Sequence, residues 1–101
     1  MIVPSHLKSF QALELALRTG SLKSAAEILA ITPAAVGQRI KTLEEYLGID
    51  LVVRGRSGLR PTRVLAKALP YLSKAFLELG AAAEALDFQR VTEIQVAANS
   101  D

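Results

Sequence analysis

This sequence predicts a mainly α fold: three short helices and a short β-hairpin, followed by one helix longer than so small a domain needs for its own core. Three features predict it. Residues 21–48 carry start and stop signals for two helices with only two residues between them. Residues 51–60 form a β-prone run broken by glycines and rich in arginine. From residue 62 onward, apolar residues recur at spacings of four and three over about 27 residues.

The first helix is expected from Ser5 to Arg18, with Ser5 as its cap and Gly20 at its end. Its buried stripe is Leu7, Phe10, Leu13 and Leu17. The second helix starts at Ser21, whose hydroxyl can accept from otherwise unpaired N–H groups, and buries Leu22, Ala25, Ala26 and Leu29. The two alanines allow a close approach by the third helix. Only Ala30 and Ile31 separate the two, which leaves room for nothing but a sharp corner. Thr32 caps the third helix, and Pro33 occupies its first position, where a missing N–H costs nothing. Gly48 closes it in a left-handed cap. This is a helix-turn-helix arrangement.

The third helix has two faces. Val36, Ile40, Leu43 and Leu47 form one apolar stripe. The other face carries Thr32, Pro33, Ala34, Gly37, Gln38 and Lys41, with Arg39 at its flank. A helix that reads a DNA groove needs small residues for close approach and a few long donors for base edges and phosphates. Ser21 and Lys23, at the start of the second helix, complete this part of the candidate contact set.

Leu51 to Arg54 is β-prone, Gly55-Arg56-Ser57-Gly58 is turn chemistry, and Leu59-Arg60 resumes an extended course before Pro61. A hairpin with an arginine at its tip follows. Folding alone gives no reason for three arginines on so small a ribbon. As a DNA wing it has one: phosphate contacts from Arg54 and Arg60, and minor-groove insertion by Arg56.

Thr62 caps a long helix expected to reach about Gln89. Its stripe is Leu65, Leu69, Leu72, Phe76, Leu79, Ala83 and Leu86. About 27 residues make a helix roughly 40 Å long. The first two turns are expected to pack on the three-helix core, and the rest to pair with a second copy as a homodimer. Pro70 removes one backbone bond, to the carbonyl of Ala66, and predicts a mild kink. Val91 to Ala98 alternates weakly and reads as a single β-strand. The chain thus divides into residues 1–61, 62–90 and 91–101.

Composition limits the function. The chain has 101 residues, half of them apolar, and a net charge of +2. That charge is segregated. Arg39 to Lys74 holds eight basic and three acidic residues, whereas Ala75 to Asp101 holds one basic and five acidic. A polyanion partner is therefore expected for the middle of the chain only. The sequence holds no cysteine, which excludes disulfides and thiolate metal sites and fits a cytoplasmic location. No apolar run is long enough to span a membrane, and Met1 to Pro4 does not open a signal peptide. His6, the only histidine, has neither a cysteine nor an acidic cluster beside it and reads as a surface residue. With no nucleophile–base pair, no paired carboxylates and no phosphate-binding glycine loop, an enzyme is not expected, and no cofactor is expected in these residues.

The order of helix, helix-turn-helix, arginine hairpin and long heptad helix resembles the N-terminal DNA-binding domain of LysR-type transcriptional regulators. Ser21-Leu22-Lys23-Ser24-Ala25-Ala26-Glu27-Ile28-Leu29 is similar to that family's second-helix motif. Thr32 to Ile40, continued by Leu43-Glu44-Glu45 and Leu47-Gly48, is similar to its recognition helix, and Leu51 to Thr62 to its wing. The likeness covers roughly residues 5–90. It implies a winged helix-turn-helix that binds double-stranded DNA at an inverted repeat, with two antiparallel linker helices holding the dimer together. It also implies a further C-terminal domain that binds a small-molecule effector, with its first strand at Glu93 to Ala97. The family usually has serine where this chain has Gly37, and often glutamine where it has Pro33. It commonly has an aromatic residue at Val52, leucine at Pro61 and an alanine-glycine pair at Val64-Leu65. Two other readings fit part of the pattern. One is an assembly module that dimerises through the heptad helix, and the other is the winged-helix domain of a molybdate-responsive regulator.

Overall fold

In the computed structural model of the chain, residues 3–56 and 58–99 are described. A turn of 3-10 helix, Val3–His6, leads into α1 (Leu7–Thr19). Then come α2 (Leu22–Leu29), α3 (Pro33–Leu47), the strands β1 (Val52–Gly55) and β2 (Gly58–Pro61), and α4 (Arg63–Asn99). The fold is mainly α, a winged helix-turn-helix with a long C-terminal helix.

Local chemistry sets most boundaries. The Ser21 Oγ accepts from the Ser24 N–H at 3.0 Å, and the Thr32 Oγ1 accepts from the Ala35 N–H at 3.1 Å. Both caps match expectation, as do Pro33 in the first turn of α3 and the left-handed Gly48, whose N–H donates to the Glu44 carbonyl at 2.8 Å. Between α2 and α3 the corner closes on a left-handed Ala30, φ 57°. There the Ile31 N–H donates to the Ala26 carbonyl at 3.1 Å, satisfying one of the helix's last acceptors.

Ser5 does not cap α1. The capping position is His6, which makes no side-chain cap bond, because the preceding 3-10 turn runs directly into the helix. The His6 ring instead lies against Tyr46 of α3, with centroids 4.2 Å apart.

The core joins Ala12, Leu13, Leu15 and Ala16 of α1 to Ala25 and Ala26 of α2 and to Val36, Ile40 and Leu43 of α3. Leu51 and Leu65 close it. The buried face of α1 is wider than the expected stripe and turned from it. Leu13 is fully buried, Phe10 and Leu17 are half-buried, and Leu7 is 45% exposed. The cause is that α1 touches α2, α3 and α4 at once, so burial spreads around most of its circumference. That spread takes in Glu14. Its buried carboxylate is neutralised one turn later by Arg18, whose Nε lies 2.9 Å from Oε1.

The two strands pair antiparallel, Val52 opposite Pro61, Val53 opposite Arg60, Arg54 opposite Leu59 and Gly55 opposite Gly58. Pro61 takes the last position of a ribbon that has no neighbouring strand, where its missing N–H is tolerated. Gly58 is where the hairpin meets the helices. Its φ is +104°, and a Cβ there would lie 2.8 Å from the Gly20 carbonyl oxygen. That same oxygen accepts from the Leu59 N–H at 3.4 Å.

Past the hairpin, the Thr62 Oγ1 accepts from the Leu65 N–H at 3.4 Å, the expected cap. α4 then runs through Pro70 to Asn99, ten residues beyond the expected end. Residues 91–98 are therefore helical here and not a strand. A strand needs a neighbour to complete its ladder, and these residues have no partner strand in the sheet. Extending an existing helix adds one bond per residue with no new nucleation cost. At about 1.5 Å per residue α4 is roughly 55 Å long, close to the 58 Å long axis of the molecule.

Gly58→Ala combines left-handed strain of about 1–2 kcal/mol with a clash against backbone. We expect it to lower the unfolding free energy by at least about 2 kcal/mol, read from urea denaturation. A loss of a few tenths would show that the hairpin does not need the close Gly20–Gly58 approach.

Candidate nucleic-acid interface

Packing of the apolar face of α3 decides what its other face presents. With Val36, Ile40 and Leu43 buried, Thr32, Pro33, Ala34, Gln38 and Lys41 are exposed, and Gly37 and Arg39 are half-buried beside them. Gln38 and Lys41 are the long donors on this face, and Arg39 sits at its flank as expected. Thr32 uses an oxygen lone pair in its cap, which leaves its hydroxyl hydrogen for an outside acceptor. Ser21 differs: its hydroxyl also donates to Ser24 Oγ at 2.9 Å, so its hydrogen is spent inside the protein. Lys23, next on α2, is exposed.

The hairpin register sorts the three wing arginines. Side chains alternate between the faces of a ribbon, and directly paired residues share a face. Arg54 therefore shares a face with Val52 and Leu59, both of which pack against the core. Arg60 shares the opposite face with the exposed Val53. Arg54 and Arg60 are thus not one pair of like contacts, as the sequence suggested, but point to opposite sides. Arg56 lies exposed in the two-residue turn. From the inner face the Arg54 side chain reaches α3: its Nη2 lies 3.5 Å from where a Cβ on Gly37 would stand, with Leu22 Cδ1 3.6 Å from the same point.

The wing is fixed to α3 by a group absent from the sequence expectation. The Glu44 carboxylate accepts from the Leu51 N–H at 2.7 Å and from the Val52 N–H at 3.4 Å. Thr62 adds a second tie, its hydroxyl donating to the Asp50 carbonyl at 2.8 Å and its N–H to the Leu51 carbonyl at 2.9 Å. No sequence pattern marks Glu44 as a clamp, since its partners are backbone groups across a turn.

The stripe on α4 grades from core to solvent. Leu65 is 4% exposed; Leu69, Leu72 and Phe76 are half-buried; Leu79 and Leu86 are 55% and 72% exposed, and Ala83 is open too. Tyr71, Leu77 and Phe88, outside the stripe, are also exposed. Leu7, Phe10, Leu65, Tyr71, Leu72, Phe76 and Leu79 line a groove of about 420 Å³ between α1 and α4. Among the described residues, no group of three His, Cys, Asp or Glu side chains could hold a metal, and no helix is long and apolar enough to cross a membrane.

This arrangement is shared with known proteins. The family model for bacterial regulatory helix-turn-helix proteins of the lysR family matches residues 7–64. A putative HTH-type transcriptional regulator, PtxE of Stutzerimonas stutzeri, is 37% identical over 101 residues, covering all of this chain and 48% of its own length. ArgP from Mycobacterium tuberculosis is 41% identical in a solved structure, with a TM-score of 0.63 over 76% of this chain and 29% of that one. The DNA-binding domain of BenM, solved with catB site 1 DNA, superposes with a TM-score of 0.68 over 80% of this chain and 91% of that one. At 23% identity that likeness is one of fold. The chain spans about half the length of PtxE and less than a third of ArgP.

Removing the Glu44 carboxylate strands two backbone donors. Glu44→Ala should cost about 1–3 kcal/mol of stability, and Glu44→Gln, which keeps an acceptor, clearly less. Urea melts of both variants check this, and equal losses would show that the carboxylate does not act as an acceptor for the wing.

Proposed function

The chain belongs to the lysR family of bacterial regulatory helix-turn-helix proteins, and we propose that it is the DNA-binding part of a transcription regulator. It places α3 in the major groove and the hairpin on the adjoining backbone. The observation that carries this is the exposed face of α3, small at Ala34 and Gly37 and donor-bearing at Gln38 and Lys41, flanked by wing arginines. Small residues permit close approach, Gln38 suits an adenine edge, and the cations neutralise phosphates. BenM and CbnR domains of the same fold have been solved with DNA, which supports this docking.

The assembly we propose is a homodimer through α4. Leu79, Leu86, Tyr71, Leu77 and Phe88 are open to water on one helix. Burying a leucine fully is worth about 1.5–3 kcal/mol, so covering several favours a self-complementary pair. Two antiparallel α4 helices would hold two α3 helices apart for inverted half-sites spaced by whole turns of the duplex. A C-terminal domain binding a small-molecule effector, and a cytoplasmic location, complete the proposal. The greater length of the relatives supports the former.

Three outcomes test it. Affinity for duplex DNA should fall steeply with salt, since each neutralised phosphate releases counterions; a flat salt dependence contradicts the docking. Gln38→Ala should cost about 1–3 kcal/mol at one base position of a selected site, and a uniform loss over all sequences would make Gln38 a backbone contact. Leu79→Asp should convert dimers to monomers in sedimentation and weaken a full palindrome much more than a half-site. A wild-type chain that stays monomeric at high micromolar concentration removes the dimer.

A further inference from the structure

The Arg54 guanidinium lies beside a gap in the surface of α3. Arg54 comes from the inner face of the hairpin, the face it shares with Val52 and Leu59. Its Nη2 sits 3.5 Å from the Cβ position of Gly37, a point that Leu22 Cδ1 approaches to 3.6 Å. The side chain is exposed, and no carboxylate or carbonyl among the described residues pairs with it. A cation with no counter-charge beside it is poised for an anion from outside the protein. Gly37 itself lies within α3 with ordinary helical backbone, where glycine weakens a helix relative to alanine. Backbone conformation gives no reason for glycine there, but space calls for a small residue. A Cβ alone would make an ordinary contact with Nη2, whereas a longer side chain would take the volume the guanidinium fills.

We propose that Gly37 is a positioning residue: by leaving that volume open it seats the wing's Arg54 against the recognition helix, where Arg54 binds a DNA phosphate at the edge of the groove that α3 enters. Arg54 thus serves α3 rather than the tip of the wing. Arg56 in the turn and Arg60 on the outer face lie apart from this seat. The inference rests on the DNA-binding reading and adds a dependence between two residues that this reading does not require.

A double-mutant cycle on a mixed-sequence duplex tests it, with wild type, Gly37→Leu, Arg54→Ala and the double variant compared over a salt series. Arg54→Ala should weaken binding several-fold at low salt and lower the slope of log affinity against log salt by about one. Gly37→Leu should lower that slope by a similar amount while Arg54 is present, and should not lower it further once Arg54 is gone. Gly37→Ala, whose Cβ fits beside the guanidinium, should keep the salt slope of wild type and melt at a higher temperature. An unchanged salt slope in Gly37→Leu, or an equal fall in slope with and without Arg54, would overturn the seat while leaving DNA binding intact. Failure of the wild-type chain to bind any duplex would overturn both. Thermal melts of all five proteins confirm that each is folded.

Discussion

The reading surface depends on one carboxylate. Glu44 projects from the last turns of α3 and accepts two backbone N–H groups, those of Leu51 and Val52, where the chain enters the hairpin. A two-stranded ribbon is marginal by itself, and among the described residues this one has no third strand. Its position comes from what it is tied to: Glu44 at its first strand, the Gly20 carbonyl against Gly58 and Leu59 at its second, and Thr62 where it leaves for α4. The wing is therefore registered to α3 and to the end of α1 together. A cation on the inner face of β1 can reach the recognition helix only because that registration holds.

Burial follows the same economy. The helical core includes four buried alanines, Ala12 and Ala16 of α1 and Ala25 and Ala26 of α2, among few large side chains. That lets three short helices pack closely enough for α3 to turn a whole face outward. α4 joins the core only through its first turns, chiefly Leu65, with Leu72 at the margin, and then leaves it. The contact surfaces separate along the molecule. Basic residues gather on the wing and the start of α4, while Glu78, Glu84 and Asp87 lie on the distal stretch of α4. A polyanion is drawn to one end and kept from the other.

What the sequence makes legible is local chemistry. Ser21, Thr32, Pro33 and Gly48 announce helix ends because a cap is a bond between near neighbours, and the hairpin announces itself through its glycines. The candidate face of α3 is legible for the same reason, since helical periodicity alone separates Val36, Ile40 and Leu43 from Ala34, Gln38 and Lys41. Contacts between elements are not. Glu44 looks like any surface glutamate until its backbone partners across the turn are placed. Gly58 looks like turn punctuation until Gly20 comes up against it. Strand alternation separates Arg54 from Arg60, but which face turns inward is settled only by the docking of Val52 and Leu59. On α1, Phe10, Leu13 and Leu17 of the stripe do meet the core, but three neighbours spread its burial beyond them and leave Leu7 exposed. Residues 91–98 alternate weakly, but among the described residues no strand pairs with them, and they continue α4.

The central claim is that α3 and the inner face of the wing act on DNA as one surface. Its most direct test is an amide chemical-shift titration of the ¹⁵N-labelled chain with a mixed-sequence duplex. The account predicts that the amides of residues 32–41 and 52–60 shift together at a single apparent affinity, with residues 77–88 moving little. Perturbation centred on α4 with residues 32–41 silent, or two sets of shifts that saturate at different DNA concentrations, would contradict it.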